Sequence, residues 1–136
     1  SRGDILFTSI RGRPEEAYPY FSGYADEIGI GAGEGATLNI PLPPGTNWPD
    51  YAEALGQPIR AIRRFGPETL VVSLGVDTFE KDPISFFELK SDDFTRLGQT
   101  IATLNLPTLF VLEGGYAVDE VGTNTVNVLT GFEGKA

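Results

Sequence analysis

Three apolar runs, ILFTSI at residues 5–10, TLVVSLGVD at 69–77 and PTLFVLEGG at 107–115, are rich in β-branched and aromatic residues and end in glycine or charge. Each reads as a strand, and the second and third lack the alternation of a half-exposed one, so they read as buried on both faces. TLNIPL at 37–42 is a shorter extended segment inside a long loop that otherwise fills residues 11–49. Loops of that length are usually functional.

Elsewhere the apolar spacing is helical. Asp50, behind Pro49, is the expected N-cap of a helix that carries Tyr51, Leu55, Ile59, Ile62 and Phe65 on one face, with a kink or restart expected near Pro58. Ser91 is the expected cap of a second helix, with Asp92 and Asp93 in its first turn and Phe94, Leu97, Ile101 and Leu104 facing inward. Residues 118–132 predict a third. Alternating strands and helices imply right-handed crossovers, and the expected fold class is α/β: three layers, a mostly parallel sheet with helices on both faces, in one domain over residues 1–136.

Ligands of such sheets lie beyond the carboxyl ends of the strands. The three ends are Ser9-Ile10-Arg11, Gly75-Val76-Asp77 and Glu113-Gly114-Gly115-Tyr116. Neighbouring strands would gather them on one rim, with Asp77 as its carboxylate. Taken singly, Asp77 reads as a helix cap or turn residue, which sequence statistics favour over a site carboxylate.

Composition narrows the chemistry. The chain has no cysteine and no histidine, which removes thiolate sites, the commonest metal ligand and the commonest general base. Nineteen acidic against ten basic residues give a net charge of −9, so no nucleic-acid partner is expected, and a cationic small molecule such as a polyamine is better tolerated. No apolar run approaches a membrane span or a signal peptide; no membrane partner and a cytoplasmic location are expected. The glycines of GIGAGEGATLNI, at 29–40, lead into a strand and carry Glu34, so they read as turn residues and not as a phosphate cradle. RAIRRF at 60–65 places cations near a helix C-terminus, where they complement the dipole. The aromatic YPYFSGY at 18–24 suits either an apolar tunnel wall or a self-stabilised loop.

Taken together, VVSLGVDTFEKDPISFFEL, LPTLFVLEGGYAV and VLTGFE resemble the arginase-like metal-dependent deacetylases, the histone deacetylase and acetylpolyamine amidohydrolase superfamily. ILFTSIRGRPEEAYPYFSGYADEIG and LNIPLPPGT extend the resemblance over essentially the whole chain, and the YPYFSGYADE loop leans towards the acetylpolyamine side. The resemblance implies a partial arginase/deacetylase-like fold, the C-terminal half of a deacetylase catalytic domain. It implies that Asp77 is one of three zinc ligands and that Tyr116 steadies the substrate carbonyl. It also implies that Ser9, with Ile10, holds a structural monovalent cation, and that Tyr18, Tyr20, Gly114 and Gly115 contact substrate.

The departures matter as much. In relatives an Asp-x-His pair and a His-His pair lie upstream of the first strand seen here, and the histidine of a SIHGDP-like motif is replaced by Arg11, its aspartate by Arg13. One carboxylate does not make a catalytic zinc site, which uses three protein ligands and a water. The expectation is a truncated, deacetylase-like domain, inactive alone and without a bound cofactor, in which the Tyr116 role is vestigial, Arg11 is a neighbour of Asp77, and the present role is binding or assembly. The alternative is a zinc-dependent amidohydrolase of acetylpolyamines or acyl-lysine, completed by an N-terminal half or a partner chain. A strand and a long aromatic loop with little to shield them further predict a homo-oligomer, most simply a dimer.

Overall fold

A computed structural model describes residues 2–134. Its elements are β1 (Phe7–Gly12), a 3-10 turn (Gly31–Gly33), β2 (Thr37–Leu42), α1 (Trp48–Phe65), β3 (Leu70–Leu74), α2 (Ser91–Ala102), β4 (Thr108–Leu112) and α3 (Val121–Phe132). The chain is therefore mixed α/β with parallel strands. β1 pairs with β2 from Phe7↔Thr37 to Gly12↔Leu42, and β3 with β4 from Leu70↔Thr108 to Leu74↔Leu112.

The two pairs do not hydrogen-bond to each other. A groove of about 770 Å³ separates them, lined by Phe7 and Ser9 of β1, Leu70 and Val72 of β3, and Leu55 and Ile59 of α1. Two strand edges thus face each other with their outer backbone groups outside any ladder.

Helix α1 starts earlier than expected, with extended Asn47 as N-cap, Pro49 in the first turn and Asp50 as a first-turn acid. It also runs unbroken through Gly56 and Pro58, where a kink or restart was predicted. Pro58 lies on the stripe formed by Tyr51, Ala54, Leu55, Ile59 and Ile62, all buried. Burial at about 1.5–3 kcal/mol per large side chain outweighs the roughly 3 kcal/mol that an internal proline costs. Gly66, in the left-handed region at φ 68°, closes the helix by donating its N–H to Ile62. Arg63 and Arg64 sit in the last turn as expected, and Arg63 also bridges to the end of α2, donating to the Thr103 carbonyl at 3.2 Å.

The N-cap of α2 is Lys90, one residue before the predicted Ser91, because the Asp93 carboxylate accepts the Lys90 N–H at 2.8 Å while holding Arg96 at 2.9 Å. Helices α2 and α3 meet almost backbone to backbone: a Cβ at Gly98 would lie 2.8 Å from the Phe132 nitrogen, and one at Gly131 would lie 2.9 Å from the Thr95 carbonyl carbon.

All three helices contribute to one core with Leu74, Val76, Phe79, Phe87 and Leu89, and Phe110 of β4 meets Phe132 of α3 edge-on at 5.1 Å. Leu70, Val72 and Leu74 turn into that core, whereas Val71 and its register partner Leu109 are 61% and 58% exposed. Among the described residues no helix is long and apolar enough to cross a membrane.

Candidate active-site rim

Strands β3 and β4 end at Leu74 and Leu112, three residues short of the predicted ends. The chain beyond them stays tethered: the Glu113 N–H reaches the Leu74 carbonyl at 2.9 Å, and the Val76 N–H reaches Gly114 at 2.8 Å. This cross-linking sets Asp77 against the Gly114-Gly115-Tyr116 loop. The Asp77 carboxylate lies so close to Gly114 that a Cβ there would come within 2.6 Å of its Cγ, and a Cβ at Gly75 within 2.6 Å of Oδ1. Both glycines make room for one carboxylate. Gly115 has its own reason, a backbone at φ 151° and a Val76 methyl 2.7 Å from where a Cβ would stand.

Burial pushes the Asp77 carboxyl above the usual carboxylate range; a backbone hydrogen bond opposes that, and the nearby charges of Asp82 and Glu113 push the same way as burial. Tyr51, buried in α1, has its phenol pushed up to about 12 by burial and by the charge of Asp77. The end of β3 and the start of α1 therefore meet beneath the rim.

Asp82 is the residue that sequence reasoning missed. It is buried, at 6% exposure, and its Oδ2 accepts the backbone N–H groups of Tyr116 at 2.6 Å and Ala117 at 3.1 Å, while Oδ1 accepts that of Ile84 at 3.1 Å. The Asp-Pro-x-Ser pattern at 82–85 signalled a turn, and the Ile84 bond is that turn. Nothing in the sequence signalled the reach across to residue 116. Above it the Tyr116 side chain is half-exposed.

The remaining predicted residues lie elsewhere. Ser9 sits in β1 opposite Asn39 and lines the groove. Tyr18 and Tyr20 are exposed on the long loop with their rings edge-on at 6.4 Å; among the described residues, no hydrogen bond, ion pair or ring contact joins them to Asp77 or Tyr116. The expectation for Arg11 is corrected. Its guanidinium packs against Gly23 in the loop after β1, its buried Nε has no hydrogen-bond partner, and it forms no ion pair with Asp77 among the described residues.

The donor set does not fit a zinc ion by itself. Among the described residues no three acidic side chains cluster as a metal site, and both oxygens of the neighbouring Asp82 are taken by backbone N–H groups. Asp77 would supply one ligand where three are needed.

Strands β3 and β4 run parallel and bring an acid and a tyrosine to their common carboxyl rim, the edge at which such sheets bind ligands. The sequence model of the histone deacetylase domain matches residues 1–132, and the chain belongs to that family. It is 56% identical, over 98% of its length, to acetylpolyamine amidohydrolase 2 of Pseudomonas aeruginosa, and 53% identical to the acetylpolyamine amidohydrolase of Mycoplana ramosa. It covers 39% of each of these relatives. Among solved structures, an acetylpolyamine aminohydrolase from Burkholderia pseudomallei superposes with a TM-score of 0.94 at 40% identity, over 97% of this chain and 39% of that one. An HDAC homolog from Aquifex aeolicus superposes with a TM-score of 0.91 at 27% identity, over 98% of this chain and 36% of that one.

Proposed function

We propose that this chain is a deacetylase-domain segment that is catalytically inactive alone and acts by assembly. The observation that carries the reading is the lack of partner ligands for Asp77: no histidine stands anywhere in the sequence, and among the described residues no three acidic side chains are grouped so that they could hold a metal. Without a second and third ligand there is no site to acidify water, and without a histidine there is no base of the family's kind to take its proton. Zinc analysis after dialysis, beside a fluorogenic deacetylation assay, tests this. The expected result is substoichiometric zinc and no turnover on acetyl-lysine or acetylpolyamines; one zinc per chain with turnover abolished by Asp77→Asn overturns it.

The groove favours a second reading, an amidohydrolase centre completed by another segment. Extended chain laid between β1 and β3 would satisfy two open strand edges at once and end beside Asp77. The acetylpolyamine amidohydrolases, of which this chain spans about two fifths, suggest the substrate: an acetylated polyamine, a cation suited to a chain of charge −9. In such an assembly Asp77 would contribute one zinc ligand and Tyr116 a phenol donating to the amide carbonyl; the metal, when bound, polarises the amide and acidifies water. Co-expression with the remaining part of the Pseudomonas aeruginosa relative tests it, co-purification with zinc-dependent hydrolysis being expected.

A further inference from the structure

We infer that Asp82 is a positioning residue for Tyr116, holding the tyrosine's backbone in a fixed place relative to Asp77. The inference rests on the reading that Tyr116 meets the substrate carbonyl in the completed centre.

The geometry that requires an anchor is local. Tyr116 follows two glycines, and Gly115 occupies a backbone region that other residues rarely enter, so the chain enters the tyrosine through its most pliable link. A phenol that stabilises a developing oxyanion must instead be held to within a fraction of an ångström, because its hydrogen bond is worth most when no reorganisation is needed. The Tyr116 side chain is half-exposed and makes no ring contact or hydrogen bond among the described residues, so side-chain packing is a weak anchor. The backbone is where it is held.

Asp82 holds it from two directions. Oδ2 takes the N–H groups of Tyr116 and Ala117 together, fixing the peptide plane between them, and the Ala117 carbonyl accepts the Glu120 and Val121 N–H groups at the entry to α3. Tyr116 is thereby pinned between a carboxylate and a helix start. The carboxylate itself cannot drift: Oδ1 accepts the Ile84 N–H, the Asp82 N–H donates to Phe79, and the Ser85 N–H returns to the Asp82 carbonyl. Phe79 in turn donates to Val76, whose N–H reaches Gly114. The loop that carries Asp77 and the loop that carries Tyr116 are joined into one hydrogen-bonded ring, and Asp82 is the side chain that closes it. Alanine at 82 removes both accepting oxygens and leaves the Tyr116, Ala117 and Ile84 N–H groups without them.

Amide hydrogen exchange on the labelled chain tests the anchor directly. In the native chain the Tyr116 and Ala117 amides are expected to be protected despite lying in a glycine loop; in Asp82→Ala their protection falls by about ten-fold or more, the worth of a hydrogen bond to a charge, while Phe94 in α2 and Leu74 in β3 are unchanged. Unchanged protection at 116 and 117, or an equal loss at Phe94, overturns the proposal. If Asp82→Ala does not fold, the native measurement still decides, since exchange at 116 and 117 as fast as in an unstructured peptide overturns it. In the completed assembly the same variant lowers kcat on an acetylpolyamine with KM within about two-fold, because the anchor acts on the tyrosine and not on the substrate; a rise in KM at constant kcat overturns the positioning role. An assembly that shows the exchange pattern but never hydrolyses anything overturns the enzymatic reading alone.

Discussion

The carboxylate of Asp77 packs against the backbone of Gly114, two residues before the tyrosine on the neighbouring loop. Beyond the backbone bonds that tether the two loops, this contact seats the acid against the phenol-bearing loop, and a methyl group would break it. Gly114→Ala is expected to destabilise the chain by about 1–3 kcal/mol, the usual cost of overpacking, and to move Asp77. Urea denaturation measures the first, and the chemical shifts of residues 75–78 the second. An unchanged midpoint together with unchanged shifts would show that the contact is loose.

The raised Asp77 carboxyl has a signed consequence for stability. A carboxyl whose folded pKa lies above its unfolded value binds more protons when folded, so stability falls as pH rises from the ordinary carboxylate range through the folded value. Asp77→Asn is then expected to stabilise the chain at neutral pH, with the gain vanishing in acid below the ordinary range. Thermal melts of both proteins across pH 3 to 7, roughly the span bracketing that range, check it. Destabilisation by Asp77→Asn at neutral pH would mean that the carboxylate is a structural hydrogen-bond acceptor first.

Tyr51 gives the matching test at alkaline pH. Its phenol, held up to about 12, stays protonated in the fold while an unfolded tyrosine ionises near 10, so stability falls between those values as pH rises. Phenolate absorbance should show a step near 12, and Tyr51→Phe should remove it. A late step that persists in Tyr51→Phe belongs to another residue.

Helices α2 and α3 offer a case in which two effects oppose. Alanine at Gly98 gains roughly 0.5–1 kcal/mol of helix propensity, yet its methyl would overlap the Val128 carbonyl. Backbone against backbone cannot yield as a side-chain tip can, so Gly98→Ala is expected to lower the melting temperature. A rise would show that the helices part without cost.

How far the sequence revealed this arrangement depended on where the interactions close. All four strands and three helices were legible, the helices because burial imposes a period: Tyr51, Leu55, Ile59 and Ile62 mark the inner stripe of α1 even across Pro58. The expected burial of β3 and β4 on both faces is corrected, since Val71, Leu109 and Val111 are exposed. The ends were less legible. Whether Gly75, Val76 and Asp77 continue a strand is decided by pairing with residues nearly forty positions away, and Lys90 displaces Ser91 as cap through the carboxylate of Asp93. That Asp77 and the Tyr116 loop lie side by side was legible from strand ends on one rim, while the anchoring by Asp82 was not, since its partners in that loop lie 34 and 35 residues on and are backbone N–H groups that every residue but proline supplies. Arg11 was assigned to the rim because it ends a strand; its long side chain turns instead into the following loop, a choice that local pattern does not encode.

The exposed face of the β3–β4 pair carries the last prediction. Val71 and Leu109 are directly opposed in register and more than half exposed, Val111 is also exposed, and Ile5 and Phe7 add exposed apolar surface at the start of β1. Apolar side chains gathered on one parallel sheet face are rarely left to water, and a second copy is the commonest cover available. The isolated chain is therefore expected to run as a dimer, with light scattering reporting about twice 14.7 kDa at micromolar concentration. An interface of that kind should bury on the order of 1,000 Å² or more, enough that two charges placed at its centre break it. Val71→Lys with Leu109→Lys should give a folded monomer, because both side chains already project outward and neither belongs to the core. A native chain that is monomeric on dilution and binds no hydrophobic dye would show that this face is stable in water, and the dimer would have no physical cause. A dimer that survives both lysines would place the contact elsewhere, and the exposed aromatic loop at Tyr18, Tyr20 and Phe21 would be the next surface to charge.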